Sequence, residues 1–185
     1  MPDRFKSPLY QEDLAYCANL PIHWDKLTGR TIAISGATGM IGTFLIDVLM
    51  KKNEDPHFDC RIIAIGRNKS RAQNRFPYFD PSDIVIHLAS TTHPRAYAAE
   101  PVSTITSNVI GLQNLLEYSR ESQLGQRGSR FIFASSVEIY GQNRGDTERF
   151  DEKYCGYIDS NTLRAGYPEA KRLGESLCRA YFEQY

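Results

Sequence analysis

The chain has 185 residues, balanced at 22 basic and 22 acidic side chains, and 41% of it is hydrophobic. That length fits one sizeable domain with an ordinary core, and the charge balance speaks against a nucleic-acid or membrane-surface protein. No apolar run approaches the ~20 residues needed to cross a bilayer, and Met1 to Tyr10 lacks the apolar centre of a signal peptide.

Residues 1–30 read as an N-terminal extension, in which Gln11 to Leu20 is predicted as a short helix and Trp24 as the residue packing it onto the sheet. From Thr31 onward short apolar strands alternate with helical stretches, the pattern of a parallel sheet covered on both faces. Thr31 to Ser35 is the first strand by its β-branched content. Ile41 to Lys52 follows as a helix, with Phe44, Leu45, Val48 and Leu49 at helical spacing. Arg61 to Ile65 and Asp83 to Leu88 are the next strands. Val102 to Ser119 is predicted as a long amphipathic helix with Ile105, Val109, Leu112, Leu115 and Leu116 on one side. Arg130 to Ala134 is the last strand, and Tyr167 to Phe182 the last helix. The fold class is therefore α/β, a Rossmann-like doubly wound parallel sheet spanning 31–185. A complete unit needs a further helix and strand between Ile65 and Ile84, and Gly66 to Asp83 is too short for both with their turns. The expectation is a sequence lacking one internal strand-helix segment and a C-terminal substrate domain; a naturally shortened protein is the alternative.

Cys17, Cys60, Cys155 and Cys178 are scattered without a C-x-x-C pair. They read as reduced thiols of a cytoplasmic protein, and no metal site is predicted.

Gly36-Ala37-Thr38-Gly39-Met40-Ile41-Gly42 stands at a strand-to-helix junction, the context that gives a glycine triplet meaning. Missing Cβ atoms allow a sharp turn, a close approach of a pyrophosphate and tight helix packing, while the helix start offers free N–H groups. This segment, with Leu88, Ala89 and Ser90 after a later strand, is the predicted dinucleotide site. An NAD site usually shows an acidic residue after the second strand. Here Gly66-Arg67-Asn68 stands in that place, and the fork of Arg67 suits the 2′-phosphate of NADP. A solvated basic loop beside NAD fits equally well, so NAD and NADP both remain open.

Tyr167 and Lys171, spaced i, i+4, share a helix face. Of eleven tyrosines, this one alone has a lysine four residues on. An ordinary tyrosine, with a pKa of about 10, is a poor base at neutral pH. An ammonium and a cationic nicotinamide ring nearby favour the phenolate, and the lysine can also bond the nicotinamide ribose. Ser135 to Gly141 follows a buried strand at the carboxyl edge, where ligands bind in such sheets. There Ser136 is a candidate partner for the reacting oxygen and Glu138 a candidate acid, base or charge stabiliser; a simple turn or helix cap is the alternative for the serines.

With these motifs assembled, the chain resembles an extended short-chain dehydrogenase/reductase of the NAD-dependent epimerase/dehydratase group acting on nucleotide sugars. The features are Gly36-x-x-Gly39-x-x-Gly42, His87-Leu88-Ala89-Ser90, Asn108-Val109-Ile110-Gly111, Ser135 to Gly141 and Tyr167-x-x-x-Lys171. The resemblance implies bound NAD or NADP, a nucleotide sugar gripped mainly by a C-terminal domain, and Ser136, Tyr167 and Lys171 as catalytic residues. A homodimer paired through the long helices Val102 to Ser119 and Tyr167 to Phe182 is common in the group and is expected here; ordinary core is the equal alternative for their apolar faces.

Within the group, the stretch from Gly156 to Tyr181 is similar to UDP-glucuronate decarboxylases, which also carry a glutamate at the place of Glu138. The 4,6-dehydratases usually show Thr-Asp-Glu where this chain has Ser136-Val137-Glu138, and the missing aspartate removes the acid for a departing hydroxyl. Decarboxylation of a UDP-glucuronate-like sugar by transient C4 oxidation is thus the expected activity. A 4,6-dehydratase or epimerase, an NADP-dependent ketoreductase and a non-catalytic dinucleotide-binding protein are the alternatives.

Overall fold

The computed structural model describes residues 7–37, 39–65, 83–122 and 129–185. Four strands form one sheet: β1 (Arg30–Ser35), β2 (Cys60–Ile65), β3 (Ile84–His87) and β4 (Arg130–Phe133). All pairings are parallel and the order is β2-β1-β3-β4. Ser35 lies opposite Ile65 on one side and His87 on the other, so the strands end together at one edge. Order reverses between β1 and β3, which opens a crevice beyond their carboxyl ends. At the other edge Asp83 joins the strands: its carboxylate accepts from the Thr31 amide at 2.9 Å and from Arg30 at 3.0 Å.

The helices are α1 (Pro8–Ala18), α2 (Met40–Lys52), α3 (Pro94–Ala99), α4 (Pro101–Ser122) and α5 (Gly166–Gln184). Ile32, Ile34, Leu49, Phe58 and Cys60 form the buried centre, with Trp24, Leu45 and Ile62 packed against it. The predicted strands and long helices agree with these bounds to within three residues. The extension differs in detail. The α1 helix docks on α2 through Tyr10, which stacks edge-on against Phe44 at 5.7 Å and donates to Asp47 at 2.6 Å. Trp24 packs this extension onto the core of the sheet, as expected, meeting Phe58 at 5.7 Å with its indole N–H on the Leu20 carbonyl.

The buried face of α4 also departs from expectation. Thr104, Asn108, Leu112, Leu116 and Ser119 are buried, whereas Ile105 is 42% exposed. The i, i+4 row that turns inward carries polar residues at its first two positions because it crosses the edge where the strands end. Asn108 explains the choice: its amide donates to the Thr104 carbonyl at 2.8 Å and its oxygen accepts from Ser90 at 2.8 Å. Farther along, α5 packs against both α4 and β4. A Cβ on Gly174 would stand 2.7 Å from the Phe133 ring and 3.1 Å from Leu112.

Candidate active site

The glycine turn follows β1 directly. Gly36 takes φ +73°, a left-handed conformation that side chains rarely adopt, and a Cβ there would meet the Ala89 amide at 2.9 Å. Gly39 caps α2 with extended backbone and, being glycine, no side-chain cap bond. Gly42 lies under the turn, where a Cβ would come within 2.3 Å of the Gly36 carbonyl oxygen. Thr43 braces the same turn, its hydroxyl donating to the carbonyls of Gly39 and Ala37 at 2.7 and 3.0 Å.

Opposite this turn stand Leu88, Ala89 and Ser90. Ser35, Gly36, Gly39 and the run His87 to Thr91 line a cavity of about 500 Å³ with Ser107, Gly111 and Asn114 of α4 behind them. A cradle that backbone alone can line, at a helix N-terminus and a switch in strand order, fits the pyrophosphate and ribose of a dinucleotide. Met40 and Ile41 are the first residues of α2, and both are exposed. Thr38 and Arg67 lie outside the described residues, and with Arg67 the sequence argument on the 2′-phosphate.

The second cluster sits at the same edge, one strand over. Backbone bonds run from strand end to strand end: Leu88 N–H to the Ser35 carbonyl at 3.2 Å, Ala134 N–H to the His87 carbonyl at 3.1 Å. Lys171 continues the line by donating to the Ala134 carbonyl at 2.7 Å. Only 2% of Lys171 is exposed, and burial pushes its pKa down to about 8. Its ammonium stands 4.6 Å from the centre of the Phe133 ring and 5.9 Å from that of Tyr167.

Tyr167, one turn earlier on α5, is itself buried and stacks on Tyr97 at 5.1 Å with the rings 4° from parallel. The Tyr97 hydroxyl donates to Glu138 at 3.1 Å, and burial beside that carboxylate pushes its pKa up. Arg164 reaches the same Glu138 oxygen at 3.6 Å. Ser136 caps the short 3₁₀ turn Val137–Tyr140, its hydroxyl oxygen accepting from the Glu138 amide at 3.2 Å. An alcohol that accepts one bond still has a proton to donate, so the cap leaves Ser136 able to face a ligand oxygen. The turn is pinned from α5 by Arg172, which donates to the carbonyls of Ile139 at 2.6 Å and Gly156 at 2.8 Å.

Tyr167, Lys171, Ser136 and Glu138 therefore form one cluster, and Gly36, Gly39, Gly42, Leu88, Ala89 and Ser90 a second beside it. His87 stands between them: Ser35 meets its Nδ1 at 2.6 Å, and the charge of Lys171 adds to burial in pushing its pKa down to about 4. Sequence reasoning assigned no role to Tyr97, Arg164 or Arg172. Arg172 had a local signal, since it is the residue after Lys171. Tyr97 had only the Pro94 and Pro101 that bracket a short helix. Among the described residues no group of three His, Cys, Asp or Glu could hold a metal ion.

A profile of the NAD dependent epimerase/dehydratase family matches residues 32–185. The chain belongs to that family. It is 30% identical over 167 residues to UDP-glucuronic acid decarboxylase 1 of Xenopus tropicalis, covering 84% of this chain and 38% of that protein. Against UDP-glucuronic acid decarboxylase 3 of Arabidopsis thaliana it is 32% identical over 167 residues, covering 83% and 47%. The chain thus spans less than half the length of these curated relatives. Its fold resembles that of a Thermus thermophilus UDP-glucose 4-epimerase in complex with NAD, with a TM-score of 0.62 at 19% identity over 84% of this chain and 51% of that one. A GDP-D-glycero-L-gluco-heptose synthase from Campylobacter jejuni, solved in the presence of NADPH, gives 0.65 at 20% identity over 84% and 44%. Family membership accounts for the sheet and its glycine turn; among the described residues no helix is long and apolar enough to cross a membrane.

Proposed function

We propose that the protein is a nucleotide-sugar-modifying enzyme that oxidises the sugar transiently at C4, and that its reaction is the decarboxylation of a UDP-glucuronate-like substrate. The observation carrying this reading is one shared edge. The glycine cradle after β1, the Ser136–Glu138 turn after β4 and the Tyr167–Lys171 face of α5 all open at the carboxyl ends of the strands. A nicotinamide dinucleotide held by Gly36, Gly39, Gly42, Leu88, Ala89, Ser90 and Lys171 supplies a reversible hydride acceptor there.

Tyr167 takes the proton of the C4 hydroxyl as that carbon is oxidised, and Ser136 donates to the same oxygen. Lys171, charged below about pH 8, keeps a positive charge beside the Tyr167 ring while the proton is held. A ketone at C4 makes the C6 carboxylate of a uronic acid a β-keto acid, whose carbon–carbon bond breaks with loss of carbon dioxide. Glu138, which accepts from Tyr97 and faces Arg164, is placed to pass a proton from solvent to the resulting carbanion at C5. Names of the curated relatives favour this outcome over dehydration or epimerisation.

The test is incubation of the full chain with UDP-glucuronate, dTDP-glucose and UDP-glucose, with products read by mass. Loss of carbon dioxide from the first supports the proposal. Loss of water from the second, or an isobaric product from the third, replaces it with a dehydratase or an epimerase.

A further inference from the structure

We propose that Tyr97 is a positioning residue: its ring is the platform on which Tyr167 is held, and its hydroxyl fixes Glu138 in the same frame. The inference rests on the reading of Tyr167 and Glu138 above and extends it to a third element of the fold. Tyr97 is 1% exposed, and its ring centre lies 5.1 Å from that of Tyr167 with planes 4° apart, an offset stack. The same side chain donates to one Glu138 oxygen at 3.1 Å and lies 3.5 Å from the other. One rigid group therefore touches a phenol on α5 and a carboxylate on the turn after β4.

The carrier is stiff. Pro94 fixes the first torsion of α3, the His93 side chain accepts from the Arg95 amide at 3.2 Å, and the Tyr97 amide bonds the His93 carbonyl at 3.1 Å. Pro101 then begins α4 directly after Glu100. A phenol that must meet a substrate hydroxyl has to be held to roughly 0.5 Å. Packing against a side chain mounted this way supplies that hold, and a flexible aliphatic residue at 97 does not.

The experiment combines kinetics with a readout that needs no turnover. With 3-fluorotyrosine at position 167, ring-current shielding from Tyr97 sets the fluorine resonance. Tyr97→Phe keeps the resonance near its place, while Tyr97→Leu moves and broadens it. An unmoved line in Tyr97→Leu overturns the proposal, whether or not the chain turns over any sugar. In kinetics, Tyr97→Leu lowers kcat roughly 10- to 100-fold with KM little changed, and Tyr97→Phe recovers part of the loss. In a Tyr167→Phe background the same Tyr97→Leu change costs a clearly smaller factor than in wild type, because the phenol it positions is gone and only the Glu138 contact is left to lose. An equal factor in both backgrounds, or a raised KM with kcat intact, overturns the positioning role and makes Tyr97 a structural or substrate-contacting residue. Full activity in Tyr167→Phe alone sinks the reading of Tyr167 instead, and the fluorine line still decides the stack.

Discussion

Lys171 gives its ammonium to the carbonyl of Ala134 at 2.7 Å, joining the helix that carries Tyr167 to the end of β4. The bond holds a cation where burial opposes charge, and its pKa falls from 10.5 to about 8. Such a residue costs stability. The shift corresponds to no more than about 3 kcal/mol at neutral pH, against about 1 kcal/mol for the lost hydrogen bond on substitution. Lys171→Met is therefore expected to melt at or above the wild-type temperature at pH 7 while turnover collapses. A clear drop in melting temperature contradicts this assignment of cost.

The same burial sets the pH dependence. Below about pH 8 folded and unfolded chains both hold the Lys171 proton. Between about 8 and 10.5 the unfolded chain keeps a proton that the folded chain has released, so this residue makes stability rise with pH. His87 acts in a lower window, since burial first and the Lys171 charge second take its pKa from 6.5 to about 4. From pH 6.5 down to 4 the unfolded chain gains a proton that the folded one refuses, and stability falls by up to about 3 kcal/mol. Melting curves across pH read both windows; Lys171→Met flattens the upper one and His87→Gln the lower.

Tyr167→Phe removes the oxygen assigned to proton transfer and leaves the ring on its Tyr97 stack. Turnover is expected to fall roughly 10²- to 10⁴-fold, with dinucleotide binding and melting temperature unchanged. Near-normal turnover in that variant ends the assignment.

Gly42→Ala tests the cradle. Alanine gains up to about 1 kcal/mol of helix propensity, but its Cβ would lie 2.3 Å from the Gly36 oxygen and 2.9 Å from the Gly36 carbonyl carbon. The clash is with backbone, so overpacking of about 1–3 kcal/mol outweighs the gain. A lower melting temperature together with weaker NAD or NADP binding in calorimetry is the expected result. Binding at wild-type strength would place the dinucleotide elsewhere.

Arg172→Met frees the Ile139 and Gly156 carbonyls at once, and Arg172→Lys keeps the charge but loses the planar fork that places one N–H on each. Faster amide exchange is expected at 137–142 and 154–158 in the methionine variant, with the lysine variant between it and wild type. Turnover should follow the same order, because the turn that moves carries Glu138.

Much of the architecture lies in short-range patterns. β-branched runs mark β1, β2 and β3, and the apolar spacing of Phe44, Leu45, Val48 and Leu49 marks α2, since period and propensity act over a few residues. The glycine triplet and the Tyr167–Lys171 spacing are legible for the same reason. Pattern misleads on α4, where Ile105 looks inward and is exposed, while Thr104 and Asn108 look polar and are buried. Those two face inward because the helix crosses a polar edge, a fact belonging to the sheet rather than to the helix. The partner of Trp24, Phe58 34 positions away, is likewise set by packing on the sheet rather than by local pattern.

The amino-acid order by itself determined a parallel α/β sheet, the place of the glycine turn and a tyrosine and lysine on one helix face, because each depends on torsional freedom or periodicity within one element. Only the tertiary structure decided that Lys171 ends on Ala134, that Tyr97 lies under Tyr167 and that Arg172 clasps the Glu138 turn. Those contacts join residues 16 to 70 positions apart, and only packing of the whole sheet brings such distant groups together.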